Sequence, residues 1–130
     1  MTIDTSWVAD IAAEMKVETE ELRSELLDLS HSIHDNPELR FEEFQASAHL
    51  TKYLQQMGFS VSTGIADMPT AFRAEKQFGD GGPTIGVFCE YDALPDIGHA
   101  CGHNIIAAAG AGAGVAACNW LQKKGSHNCS

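Results

Sequence analysis

Residues 85–104 read Ile85-Gly86-Val87-Phe88-Cys89-Glu90-Tyr91-Asp92-Ala93-Leu94-Pro95-Asp96-Ile97-Gly98-His99-Ala100-Cys101-Gly102-His103-Asn104. The first five are continuously apolar, the pattern of a central strand covered on both faces. Glu90 to Gly102 is a loop dense in polar and ionisable residues. A helix is predicted to begin at His103 or Asn104 and to run to about Leu121. Strand, polar loop and helix in that order predict an α/β fold, a layered α/β/α domain. Open α/β sheets hold their ligands at the carboxyl ends of strands, where this loop lies. Gly110, Gly112 and Gly114 interrupt the helix. Each costs about 1 kcal/mol of helix propensity against alanine, so close backbone approach to the sheet is the expected compensation.

Upstream, Trp7, Val8, Ile11, Ala12 and Met15 have helical spacing, which predicts a short docked helix. Thr19 is the expected N-cap of a second helix, with Glu20 and Glu21 in its first turn. Leu22, Leu26, Leu29 and Ile33 form one face of it, and Asn36-Pro37 ends it. A third helix is predicted over Phe41 to Met57, with Phe44, Ala48, Leu54 and Met57 inward. Gly58 suits its left-handed cap. Phe59, Val61, Thr63 and Ile65 alternate with polar neighbours as a half-buried strand does, and Thr70 to Lys76 reads as another. Gly79-Asp80-Gly81-Gly82-Pro83 is a turn.

The chain has 130 residues, room for one domain with a core. Its 18 acidic against 8 basic side chains give a net charge of −10. A nucleic-acid partner needs a basic face to neutralise phosphates, so none is expected. The same sign argument disfavours an anionic membrane surface. The apolar run Ile105 to Cys118 has 14 residues, against the roughly 20 that span a bilayer. The first basic residue is Lys16, so the positive flank of a signal peptide is missing. The four cysteines, Cys89, Cys101, Cys118 and Cys129, form no C-x-x-C pair. A cytoplasmic location with reduced thiols is the expectation. Cys89, inside an apolar run, reads as a small core residue.

Within the loop, Glu90, Asp92, Asp96, His99, Cys101 and His103 are ligand types for zinc and related divalent ions. Gly102 lets the backbone turn so that Cys101 and His103 can converge on one ion. The spacing alone leaves two readings open: a metal-binding pair, or a packed histidine beside an inert cysteine. One such pair cannot fill a tetrahedral shell, so further ligands must come from elsewhere.

Three motifs, in order, carry a resemblance. His34-Asp35-Asn36-Pro37-Glu38-Leu39, followed by Glu42-Glu43, resembles the H-x-x-P-E-L…E signature of the M20 peptidase and amidohydrolase family. Glu90-Tyr91-Asp92-Ala93-Leu94-Pro95 resembles the D-x-D-A-L-P strand end of its aminoacylase-like branch. Gly98-His99-Ala100-Cys101-Gly102-His103-Asn104 resembles the H-A-C-G-H motif. This version is most like the aminobenzoyl-glutamate hydrolase and dipeptidase group, and the likeness covers about residues 20 to 117.

The resemblance implies that Cys101 and His103 ligate a divalent ion, zinc or manganese. It makes Asp92 the acidic residue beside the metal centre, orienting a ligand. Glu90 stands where a related branch has a metal-binding histidine, and with His99 it belongs to the surroundings of the ion. His34 and Glu38 read as helix-end structure; His31, His49 and His127 read as surface residues. The implied reaction is hydrolysis of an amide bond in an N-acyl amino acid or dipeptide-like substrate. The family's Glu-Glu pair on the next strand has no counterpart, because no acidic residue follows Asp96. The implied organisation is a lead-in over 1–18, a partial catalytic domain over 19–121 without the lid or dimerisation domain, and a divergent polar tail over 122–130. The expectation is therefore an N-terminal portion, inactive alone. His127 and Cys129, in the tail, are poor substitute ligands. Two other functions stand beside it: a non-catalytic module that pairs with a full-length family member, and a bland α/β domain with a redox-reactive Cys101.

Overall fold

A computed structural model describes residues 5–127. It is built of α1 (Ser6–Glu21), α2 (Arg23–Asp35), α3 (Phe44–Gln56), β1 (Ser60–Thr63), a 3-10 turn (Ile65–Asp67), β2 (Phe72–Glu75) and α4 (His103–His127). Helices with one small sheet bear out the mixing of helix and strand, but not a layered sheet. β1 and β2 pair antiparallel with Val61 opposite Ala74, and among the described residues no other strand joins them.

Leu22, Leu29 and Ile33 of the α2 stripe are buried, as their spacing predicts, with Leu26 half-buried beside them. They meet Leu50, Tyr53 and Leu54 of α3 and Ala107, Ala111, Val115 and Ala116 of α4 in one core. The helix ends at Asp35, and Asn36 leaves the helical region before Pro37. Gly58 takes φ +81°, and Phe59 N–H donates back to the Leu54 carbonyl, closing the end of α3 as expected.

Four expectations need correction. Thr19 does not cap α2. Its hydroxyl donates to the Met15 carbonyl inside α1, and the chain breaks at Leu22 instead. Second, α3 starts at Phe44 and keeps only part of the predicted face: Leu54 is buried and Met57 packs against the core, but Phe44 and Ala48 are exposed, while Ala46, Ser47 and Leu50 are buried. Its first turn is fixed by a carboxylate from outside the helix, which periodicity does not register.

Third, Ile85 to Cys89 forms no strand, and Ile85 is 83% and Phe88 93% exposed. A central strand needs ladder partners on both sides. Here β1 and β2 satisfy each other, and the segment is covered on one side only. A Cβ at Gly110 would stand 2.5 Å from Cys89 Sγ and 3.6 Å from the Phe88 carbonyl oxygen, so close approach is the use of that glycine. Gly112 does the same toward Leu26 of α2 rather than toward a sheet, and a Cβ at Gly114 would meet nothing within 4 Å.

Fourth, the polar segment after Leu121 continues α4 to His127. Lys123 Nζ meets the buried Glu18 carboxylate at 2.6 Å and Lys124 meets Glu14 at 3.0 Å, tying α4 to α1. The His127 side chain and Cys129 lie outside the described residues. Over His103–Gly125 the helix is long and apolar enough to cross a membrane; in this fold it packs on α1, α2 and α3.

Candidate functional site

The loop from Glu90 to Gly102 is bracketed by the segment that follows α2. Ala93 N–H donates to the Glu38 carbonyl at 2.7 Å, and Leu39 pairs with Ala93 in a parallel bridge. The Glu38 carboxylate accepts the N–H groups of Gln45 and Ala46 at 2.9 Å, capping α3. Glu38 thus acts at a helix end, as its sequence context suggests, but at the start of α3 rather than the end of α2. Pro37 lies against Gly98. Leu94 and Gly98 exchange two backbone hydrogen bonds across a tight turn, in which Asp96 has φ +66°. Asp96 is exposed there, away from the other ionisable groups of the loop. Gly102, at φ +83°, turns the chain into α4.

That path brings Glu90, Asp92 and His103 together. His103 Nδ1 lies 2.8 Å from Asp92 Oδ1 and 3.0 Å from the Asp92 carbonyl oxygen. Both neighbours are acceptors, so Nδ1 carries the hydrogen. Nε2, the other ring nitrogen, lies 3.3 Å from Glu90 Oε2, so the imidazole stands between two carboxylates. An imidazole whose other nitrogen is held by a carboxylate is also the usual arrangement of a metal-bound histidine. The resemblance placed Glu90 in the surroundings of the ion, and the structure sets it against His103.

Cys101 is not drawn into this group. Its thiol is exposed and free, and it makes no hydrogen bond with the trio. Among the described residues no group of three or more His, Cys, Asp or Glu side chains is arranged to hold an ion. His99 is buried, at 8% exposure, and neither ring nitrogen has a hydrogen-bond partner. Its ring centroid lies 6.4 Å from that of His34. Burial, and then the neighbouring His34 and His103, push its pKa below the ordinary histidine value. His34 is exposed beside Asp35, and His31 and His49 are exposed, as expected of surface residues.

Beside the trio opens a cavity of about 180 Å³ between Phe41, Met68, Tyr91 and Asp92. The buried Glu43 carboxylate lines it, accepting Thr70 Oγ1–H at 2.6 Å and Phe41 N–H at 2.7 Å. Tyr91 donates its phenol to the Thr70 carbonyl at 2.7 Å. Glu43 belongs to a motif quoted from the sequence, but its place in this wall was not legible: the contact to Thr70 spans 27 residues.

Burial raises the phenol pKa of both tyrosines to about 12, with the Glu43 charge adding to it at Tyr91 and the Glu25 charge at Tyr53. The chain has no other tyrosine. Tyrosinate absorbance of the folded protein is therefore expected near pH 12, and near pH 10 once urea unfolds it. A raised phenol pKa stabilises the fold below pH 10, and that contribution is lost as pH rises toward 12. A spectrophotometric titration with and without urea checks both statements; coincident curves would refute them.

No protein-family model matches the chain. Among curated proteins it is 36% identical over 120 residues to a p-aminobenzoyl-glutamate hydrolase polypeptide of Escherichia coli (strain K12), covering 79% of this chain and 24% of the relative. It is 42% identical over 98 residues to the Xaa-Arg dipeptidase of Homo sapiens, covering 67% and 22%. It is 34% identical over 99 residues to N-acetyldiaminopimelate deacetylase of Lacticaseibacillus paracasei, covering 63% and 26%. The chain spans about a quarter of the length of the curated relatives it matches. Independent likeness to hydrolases and peptidases of amide bonds agrees with three motifs in order, and the chain belongs to the M20 peptidase and amidohydrolase family.

Proposed function

We propose that this chain carries part of the metal site of an amidohydrolase acting on N-acyl amino acids or dipeptide-like substrates. The observation that supports the reading is His103 held at Nδ1 by Asp92 at 2.8 Å, with Glu90 Oε2 3.3 Å from its Nε2. In it, His103 and Cys101 are ligands of a zinc or manganese ion, and Asp92 fixes the imidazole's tautomer and direction. Glu90 is an acidic neighbour of the ion, and His99 a buried neutral wall. Such an ion, when bound, polarises a carbonyl and lowers the pKa of a water molecule. The cavity beside Asp92 then receives the substrate, its apolar walls Phe41 and Met68 against the acyl or side-chain group. The printed names of the relatives, a p-aminobenzoyl-glutamate hydrolase, an Xaa-Arg dipeptidase and an N-acetyldiaminopimelate deacetylase, support this substrate class.

Hydrolysis also needs a general base, and of the carboxylates lining the cavity Glu43 is committed to Thr70 and Phe41 while Glu90 faces His103. The proposal is accordingly that the chain binds metal but turns over little by itself. A second reading, a non-catalytic module that pairs with a full-length member, is favoured by the unpaired apolar segment at Ile85 and Phe88. A reducing, cytoplasmic setting is proposed with either reading, since Cys89, Cys101 and Cys118 are free.

The test is metal titration of the purified protein with Zn²⁺ and Mn²⁺, alongside His103→Ala and Cys101→Ala, followed by an N-acyl amino acid hydrolysis assay. Saturable binding lost in both variants is expected. Binding unchanged by both substitutions would overturn the metal reading. Substantial turnover lost in Cys101→Ala would keep the metal and overturn the claim of incompleteness.

A further inference from the structure

We infer that α1 and the last turns of α4 form an ionic latch, a strap that opens as one unit while the core of α2, α3 and α4 stays folded. α1 and α2 follow one another along α4, and the two halves of that seam are built differently. Along α2 the seam is apolar. Leu29 and Ile33 share one buried cluster with Ala107, Ala111 and Val115 of α4, and Leu26 fills the space at Gly112. Along α1 it is charged. Glu18 is the buried residue of α1, with Ile11 and Met15 half-buried. Lys123 Nζ reaches the Glu18 carboxylate at 2.6 Å and that of Glu21 at 3.5 Å. Lys124 Nζ and the Trp120 indole both donate to Glu14. Trp120, Lys123 and Lys124 lie past the motifs that carry the family resemblance.

The two halves differ in what opening costs. α1 has no side-chain N-cap bond and no acidic residue in its first turn. An isolated helix of roughly 15 residues is marginal in water, so the helicity of α1 depends on docking. Docking depends in turn on a carboxylate taken out of water. Glu18 Oε1 meets Lys123, but Oε2 is buried with no hydrogen-bond partner. The desolvation of such a pair is offset fully only when the remaining lone pairs are satisfied. Lys124 and Glu14 are about half exposed, and a pair in that setting adds little. Opening the α2 half would instead uncover several fully buried apolar side chains. The α1 half therefore opens at lower free energy, the condition for a separate cooperative unit. α1 and residues 119–125 open together because each holds the other's ionic partners. The hinge is Leu22, where the helix breaks between α1 and α2 and whose side chain stays in the core.

The test is amide hydrogen exchange, read by mass spectrometry on the 130-residue chain in water and in sub-denaturing urea. Amides of α1 and of residues 119–125 are expected to exchange through one shared opening with weak urea dependence. Those of α2, α3 and the first half of α4 are expected to exchange only through global unfolding, with the full urea dependence. Ile33→Val, a mild change in the α2 half, is expected to speed the core amides by about 3- to 10-fold and to leave α1 at the wild-type rate, because it weakens the latched and unlatched forms equally. Lys123→Ala leaves the Glu18 carboxylate buried and unpaired, and is expected to speed α1 exchange by about 10- to 100-fold. Glu18→Leu combined with Lys123→Leu sets an apolar pair in the same place, and is expected to return α1 exchange to the wild-type rate or below it. Three results overturn the inference: α1 amides with the same urea dependence as the core, α1 accelerated as much as the core by Ile33→Val, or α1 exchange unchanged in Lys123→Ala. A paired leucine variant as fast as Lys123→Ala overturns the role given to the buried charge. Should Lys123→Ala fail to fold, the wild-type urea series, Ile33→Val and the paired leucine variant decide.

Discussion

Asp92→Ala is expected to weaken divalent-metal binding by about 10- to 100-fold while leaving every proposed ligand in the chain. The carboxylate takes the Nδ1 hydrogen at 2.8 Å, helped by its own carbonyl oxygen at 3.0 Å. Without it the imidazole is free to exchange tautomers and to rotate, so Nε2 is no longer a preformed donor. His103→Ala goes further, removing the donor itself, and saturable binding is expected to disappear. Asp92→Asn should fall between wild type and Asp92→Ala, because an amide oxygen accepts the same hydrogen bond without the charge. Competition against a chelator of known affinity reads all three. Equal affinity in wild type and Asp92→Ala would show that the carboxylate does not support the ligand.

Leu50→Ala is expected to destabilise the fold by about 2–5 kcal/mol, the range for a leucine removed from a well-packed core. Leu50 has 0% exposure and belongs to the cluster in which α2, α3 and α4 meet. It lies on the helix that Glu38 caps, in the cluster shared with the helix that begins at His103. Loss of its methyl groups leaves a cavity that the alanine- and glycine-rich face of α4 has no bulk to fill. Urea unfolding followed by circular dichroism gives the difference. A midpoint within experimental error of wild type would mean that the helices close over the gap and that the core is not one packed unit.

The two predictions draw on different amounts of sequence information. The Leu22, Leu26, Leu29, Ile33 stripe was legible because helical burial recurs in the sequence itself. Asn36-Pro37 and Gly58 were legible because each acts on its own backbone. Ile85 to Cys89 was misread because an apolar run states only that burial is available. Whether it becomes a strand depends on neighbours, and β1 and β2 pair with each other. Thr19 was misread for a related reason. A threonine hydroxyl can cap a helix or bond back within one, and the buried pairing of Glu18 with Lys123 carries α1 past it. The Phe44 face failed because the start of α3 is set by Glu38, several residues away.

The sequence by itself determined the helix boundaries at proline and glycine, the core stripe of α2, the two short strands and the family, since each is written in neighbouring residues or in short motifs. It also named the ionisable residues of the loop. Only the tertiary structure decided that His103 lies between Asp92 and Glu90, that Cys101 stays exposed, and that Glu43 and Thr70 share a wall. The physical reason is range. Backbone preference acts over a few residues, whereas a hydrogen bond or ion pair exists only where the packed chain brings its two ends within about 3 Å.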